Sequence, residues 1–262
     1  MTGTTESTKP PRGETAENTA PAENEITDLY IPKTLTRELE TFNWLYSQRA
    51  EDSENLTQLV DGLLEANPEG TLSPGIAEEW GSEDGGKTWT FKLREGVKWV
   101  DVNGNEKAEC NAWDFATGLE WVLNFYKNDS TNTSMPFEMI EGAEEYYEYT
   151  KTLSKEEAYA LTAGEGSHSF LEMVGVEVPD DYTIVYHCIN PKPYFDSVAT
   201  YACLFPISQA MVDELGGPGR RARDEQRDHV VQRTIPHDLL HSGQRKGTVQ
   251  KPEILGHRVH PL

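Results

Sequence analysis

Five carboxylates, Glu144, Glu145, Glu148, Glu156 and Glu157, crowd one stretch of the chain. Sugar hydrolysis would use such groups as a pair, an acid and a base on opposite sides of the scissile bond. Runs of glutamate on a helix also make a plain solvated face, and that reading is the stronger one here. His237-Asp238-Leu239-Leu240-His241 sets two imidazoles four residues apart, a spacing that on a helix could hold a metal. Neither a third ligand nor the glutamate of the HExxH pattern accompanies them. Ser167-His168-Ser169 lacks the GxSxG elbow of a serine nucleophile, and Gly164-Glu165-Gly166 is too short to cradle phosphate and has no lysine after it. Cys110, Cys188 and Cys203 show no CxxC spacing. Cys188 and Cys203 flank the Pro191 to Phe195 turn, and either a bridge in an oxidising compartment or two buried thiols fits them. The chain is therefore expected to be no enzyme and to carry neither cofactor nor metal. Two rival readings are a secreted glycoside hydrolase fragment and a small nucleic-acid-binding protein acting through a basic tail.

The elements around these residues are mixed. Trp89, Phe91 and Leu93 alternate with Thr90, Lys92 and Arg94, the period of a half-buried strand. Glu83-Asp84-Gly85-Gly86 before it predicts a tight hairpin reversal, and Glu95-Gly96 breaks it before Val97-Lys98-Trp99-Val100. Residues 26 to 46 read as a first strand and its approach. Leu56, Leu59, Val60, Leu63 and Leu64 follow helical spacing, with Ser53 or Asn55 as caps and Asn67-Pro68 as the stop. Asn103-Gly104 predicts another tight turn. Asn111 caps a helix whose apolar face is Phe115, Leu119, Val122, Leu123 and Tyr126, with Asp114 complementing its dipole. Ile140, Ala143 and Tyr147 predict an acidic helix, and Ser154-Lys155-Glu156-Glu157 is a capping box opening another through Leu161. Val174 to Val178 and Thr183 to Cys188 return as paired strands. Hairpins and helices without a βαβ rhythm predict an α+β (mixed α/β) fold.

Charge limits the partners. Residues 1–216 hold 14 Lys and Arg against 40 Asp and Glu, so the body repels phosphate backbones and anionic membrane surfaces, and no nucleic acid is expected on it. Residues 217–262 hold 9 against 5 and contain none of the 25 aromatic residues found earlier. That end also has no aromatic side chain for base stacking. No run of eighteen apolar residues occurs, and Met1-Thr2-Gly3 opens no signal sequence, so the chain as written is not expected to be exported. Residues 2–25, with no aromatic side chain and no aliphatic one larger than alanine, read either as a disordered tether or as an ordinary ragged terminus.

Pro74-Gly75-Ile76-Ala77-Glu78-Glu79-Trp80 followed by Asp84-Gly85-Gly86-Lys87-Thr88-Trp89-Thr90-Phe91-Lys92-Leu93-Arg94-Glu95-Gly96-Val97-Lys98-Trp99 resembles the signature of the bacterial extracellular solute-binding proteins of the oligopeptide and dipeptide-binding family. The resemblance continues in Leu59 to Leu64 as a helix ending in a glycine-leucine step, in Ala112-Trp113-Asp114-Phe115 as a helix start, in the second hairpin Val176 to Tyr186, and in Pro191-Lys192-Pro193-Tyr194-Phe195. It implies a partial periplasmic-binding-protein-like type II fold with the second lobe missing. The implied division is a tether over residues 1–26, the start of a discontinuous lobe I over 27–55, a hairpin-and-helix insert over 56–190, a return to lobe I over 191–216, and an aberrant tail over 217–262. A peptide ligand and the permease subunits of an ATP-binding-cassette importer are the implied partners, with membrane attachment only through a lipid anchor upstream of Met1. The family works at the extracellular face of the membrane or in the periplasm. By the same resemblance Tyr46, Ser47, Gln48 and Arg49 lie near the peptide cleft, where an extended peptide meets backbone hydrogen bonds as an added strand.

The basic tail has an explanation in the genetic code. With permitted codons, residues 224 to 261 read one base later can spell M-S-N-E-T-M-W-Y-N-G-P-Y and then M-T-S-Y-I-Q-G-N-E-K-V-L-Y-K-N-P-K-Y-W-D. His229, Val230 and Val231 as CAT, GTG and GTA before CAA for Gln232 give Met, Trp and Tyr, for instance. The string resembles the family's continuation, so a single-base frameshift is predicted between Gly216 and Ala222. It accounts for His237 and His241 better than a metal site does.

Overall fold

The structure, a computed structural model, describes residues 43–46, 49, 52–53, 56–57, 59–101, 104–127, 132–164 and 169–214. Eight strands run through it: β1 (Leu64–Ala66), β2 (Leu72–Pro74), β3 (Ala77–Gly81), β4 (Thr88–Leu93), β5 (Lys98–Val100), β6 (Glu106–Glu109), β7 (Val176–Asp180) and β8 (Thr183–His187). The helices are α1 (Ala112–Leu123), α2 (Ser134–Met139), α3 (Ala143–Thr152), α4 (Lys155–Ala160), α5 (Phe170–Met173), α6 (Phe195–Val198) and α7 (Gln209–Glu214), with a 3-10 turn at Ala202–Leu204.

The tryptophan-rich hairpin becomes half of a four-stranded antiparallel sheet in the order β3-β4-β8-β7. Alternation along β4 turns Trp89, Phe91 and Leu93 inward, and the register Trp89 to Tyr186 and Phe91 to Ile184 sets the inward residues of β8 beside them. Phe91 meets Tyr186 edge-on at 5.9 Å, and Phe195 from α6 lies 5.5 Å from the same tyrosine. Pairs of this kind add stability beyond the area they bury.

The reversal between β3 and β4 is built as the sequence predicts. Asp84 Oδ1 accepts the amides of Lys87 and Thr88 and the hydroxyl of Ser82 at 2.8–2.9 Å. The Thr88 amide above all holds its carboxyl down at about 2. Gly85 and Gly86 supply φ of 76° and 96°. Gly86 has a second reason to be glycine: a Cβ there would sit 2.7 Å from the Lys192 carbonyl carbon. The turn is thereby pressed on the Pro191 to Phe195 segment, and Trp89 Nε1 donates to Lys192 O at 3.1 Å.

α1 runs as its cap predicts. Asn111 accepts the Trp113 amide at 2.9 Å, Asp114 returns the bond to the Asn111 amide, and Phe115, Leu119, Val122 and Leu123 are buried, whereas Tyr126, expected on the same face, lies in the turn beyond the helix and is half-buried. The reciprocal box at Ser154 and Glu157 also forms, opening α4. Beyond Gly96, β5 pairs with β6 around a turn in which Gly104 takes φ of 82°.

Three expectations are corrected. Helical residues occur at 52–53 and 56, but Leu59 to Leu64 is no helix: residues 60–62 are irregular and Leu64 opens β1. The apolar spacing there serves long-range pairing instead, because Leu63 O accepts the amides of Gly75 and Ala77 and Gly62 O accepts that of Ile76. Gly62 lets the Phe205 ring close in, since a Cβ would stand 2.5 Å from it. On the acidic helix Tyr146 rather than Tyr147 faces the core, and Ile140 precedes the helix in a bridge to Cys188. Residues 43–46 form a turn rather than a strand, and residues 26–42 lie outside the described residues, as do the tether and the tail.

Candidate functional site

The segment proposed to face a ligand begins where the described chain comes in. Leu45 N donates to Asn43 Oδ1 and Tyr46 N to Asn43 O, which closes a tight turn. Trp44 and Leu45 are fully buried by it. Trp44 Nε1 donates to Pro206 O at 3.0 Å, across 162 positions of sequence. Residues 43–46 therefore lie beside residues 205–208, two segments that together form a neck. Tyr46 and Arg49 are half-buried beside it, and Arg49 O accepts the Ser53 amide at the start of a helical turn. Ser47 and Gln48 lie outside the described residues.

The neck is fastened to α1. Asp114 O accepts the Ile207 amide at 3.0 Å, and one turn later a Cβ on Gly118 would overlap Phe205 O. Asp114 is itself 8% exposed. Its Oδ2 accepts Trp99 Nε1 at 2.7 Å and the Asn111 amide at 3.2 Å, and the Cys110 thiol is a third partner. Burial outweighs these donors and raises the carboxyl to about 6. The sequence showed Asp114 as a first-turn residue complementing the helix dipole; its burial could be read only with Trp99 and Cys110 in place.

A second buried polar node closes the far end of α1. Lys127 Nζ donates to Glu120 Oε2 at 2.6 Å and to Leu161 O at 2.5 Å. Glu120 Oε1 accepts Asn124 Nδ2 at 2.9 Å and Tyr146 OH at 2.8 Å. Nothing in the spacing of Glu120 and Lys127 marks them as partners, because the turn after α1 is what brings them together.

Glu144, Glu145, Glu148, Glu156 and Glu157 are all exposed; Glu148 pairs with Lys151 and Glu157 is spent on its cap. Among the described residues no group of three or more His, Cys, Asp or Glu side chains is placed to hold a metal. All three cysteines are buried and free, and burial pushes the Cys188 thiol to about 11 and the Cys203 thiol to about 12. No helix among the described residues is long and apolar enough to cross a membrane. Ser167, His168, His237 and His241 lie outside the described residues. A concavity of about 710 Å³ opens on the β3–β4 hairpin, lined by Glu79, Trp80, Ser82, Asp84, Thr90 and Lys92. It offers polar and aromatic contacts.

A mixed sheet-and-helix body of this form matches part of the periplasmic-binding-protein fold. The Haemophilus influenzae OppA complex with RPPGFSPFR superposes with a TM-score of 0.55 at 29% identity, over 68% of this chain and 30% of that one. A Bacillus anthracis oligopeptide ABC transporter substrate-binding domain gives 0.57 over 76% and 33% at 22% identity, a likeness of fold. The model of the bacterial extracellular solute-binding proteins, family 5 Middle, matches residues 71–233, and the chain belongs to that family. Among curated relatives, the oligopeptide-binding protein SarA of Streptococcus gordonii is 28% identical over 204 residues, 78% of this chain and 26% of SarA. The periplasmic oligopeptide-binding protein OppA of Haemophilus influenzae is 35% identical over 159 residues, 61% of this chain and 25% of OppA. The chain thus spans about a quarter of the length of these relatives.

Proposed function

We propose that this chain is part of the substrate-binding component of an ATP-binding-cassette importer for oligopeptides or dipeptides, a ligand carrier rather than a catalyst. The observation that carries the reading is the family match over residues 71–233, joined to a fold shared with a peptide-loaded OppA. In this reading the peptide is held by closure of two lobes, and the loaded protein docks on membrane permeases outside the cytoplasmic membrane or in the periplasm. Tyr46, Ser47, Gln48 and Arg49 border the cleft. The adjacency of Trp44 and Pro206 supports treating residues 56–190 as an insert between the start of lobe I over 27–55 and its return over 191–216.

The body described contributes one side of the clamp, and closure needs both. The 262 residues on their own therefore hold peptide weakly or not at all, and a calorimetric titration giving micromolar affinity overturns that. The basic tail over 217–262 is the product of a slipped frame, and the family's continuation lies one base away. Sequencing the gene tests this directly: the shifted frame stays open through the asparagine-proline codons, and stop codons before them refute it.

A further inference from the structure

We infer that the outer edge of β3 is a docking strand for a basic partner, an extended polypeptide segment with lysine or arginine at alternating positions that adds to the sheet there. In the order β3-β4-β8-β7 two strands have a side without a neighbouring strand. On β7 that side is weakened by Pro179, which has no amide hydrogen to give. On β3 the Ala77 amide is taken by Leu63 O, and the bulge falls between Ala77 and Glu79. Residues 79–81 pair with β4 alone among the described residues. A strand paired on one side leaves the amide and carbonyl of alternate residues pointing outward, a template for another strand. The concavity of about 710 Å³ opens on this hairpin, and neither Tyr46 nor Arg49 lines it, so it is not the surface beside the neck.

Charge selects the occupant. Glu78, Glu79 and Glu83 are exposed, and none of them has an ion pair or side-chain hydrogen bond among the described residues. Asp84 is spent on its own turn. Lys92, opposite Glu79 in the register, is the one cation among the described residues that line the concavity. A second copy of the chain pairing through β3 would set these glutamates against their own kind, and together with the bulge they deter it. A strand bearing lysine or arginine meets the reverse. Side chains opposite one another in an antiparallel pair stand about 5 Å apart, so a cation opposite Glu79 is within reach of its carboxylate. Half-buried Trp80 lines the same concavity and offers a ring to the cation or its stem. The same charges thus admit one class of partner and turn the other away.

The test uses the whole 262-residue chain. The probe is a capped hexapeptide of alternating lysine and threonine, and its control has glutamate in place of lysine. Amide exchange at residues 79–81 slows with the lysine probe at about 1 mM and not with the control, and the effect weakens as salt is added. Two further lysine probes carry N-methyl groups on alternate amides, one in each phase. Methylation on the phase that faces β3 weakens binding by more than about tenfold, and the other phase leaves it within about twofold. Glu78→Lys combined with Glu79→Lys, both at exposed positions, weakens the unmethylated probe by about tenfold. Should that variant not fold, the two methylated probes decide on the unaltered chain. No slowing at residues 79–81, equal binding of the two charge types, equal binding of the two methylation phases, or a folded variant that binds as well as the parent overturns the proposal. Protection of residues 79–81 that rises with protein concentration alone assigns the edge to a second copy and overturns it too.

Discussion

Replacing Lys127 by methionine removes the cation from the far end of α1 and leaves everything else in place. Lys127 and Glu120 are 5% and 1% exposed at the side chain, so the pair is screened little by water. After the change Glu120 keeps two neutral donors, Asn124 and Tyr146, but has no opposite charge, and Leu161 O loses its Lys127 partner. Breaking one side of such a pair costs about 3–5 kcal/mol, most of it the penalty of an uncompensated buried charge. Against a domain stability of about 5–15 kcal/mol that is a large fraction. In urea, with a slope of about 2 kcal/mol per molar, the midpoint falls by roughly 2 M. The buried tryptophans Trp44, Trp99 and Trp121 report the transition by fluorescence. Removing the second charge should restore stability: Glu120→Gln combined with Lys127→Met recovers about 2 kcal/mol over Lys127→Met alone, because the amide still accepts from Tyr146. The reasoning fails if Lys127→Met costs under about 1 kcal/mol, or if the double variant is no more stable than the single one.

Gly142 takes φ of 70° and abuts Met173 O, so Gly142→Ala should cost more than the about 1 kcal/mol of an unfavourable backbone alone; a chemical melt within about 0.5 kcal/mol of wild type contradicts the packing. Tyr186 OH is buried with no hydrogen-bond partner among the described residues, and Tyr186→Phe should leave thermal stability unchanged or raise it, whereas a clear loss shows a hidden partner. Glu109 is held down at about 2, first by Lys98 and then by Tyr182 and the Gly96 amide. Its contribution is present above the ordinary value of 4.5 and lost as pH falls toward about 2, so Glu109→Gln should flatten the acid limb of the stability profile.

The parts of the fold legible in the sequence are those whose determinants are local. Asp84 through Gly86 carry their own turn chemistry, Asn111 with Asp114 and Ser154 with Glu157 carry their own caps, and the alternation in β4 announces its buried face. Leu59 to Leu64 misled because apolar spacing alone does not separate a helix from a segment whose partners, Gly75, Ile76, Ala77 and Phe205, lie far along the chain. Tyr146 and Tyr147 are adjacent, and only the position of Glu120 decides which turns inward. The same holds for the site. Family resemblance directed attention to Tyr46 and Arg49, but the neck beside them depends on Trp44 meeting Pro206, and the Asp114 node on Trp99 and Cys110. Each of those contacts is a product of tertiary packing.

If this body belongs to a peptide clamp whose continuation is encoded one base out of frame, restoring the frame restores the ligand. The most direct measurement is to express the gene with the frame restored beside the 262-residue chain, purify both, denature them and identify released peptides by mass spectrometry. Co-purified peptides are expected from the restored protein and none from the chain with the basic tail. Peptide released equally by both, or by neither, contradicts it.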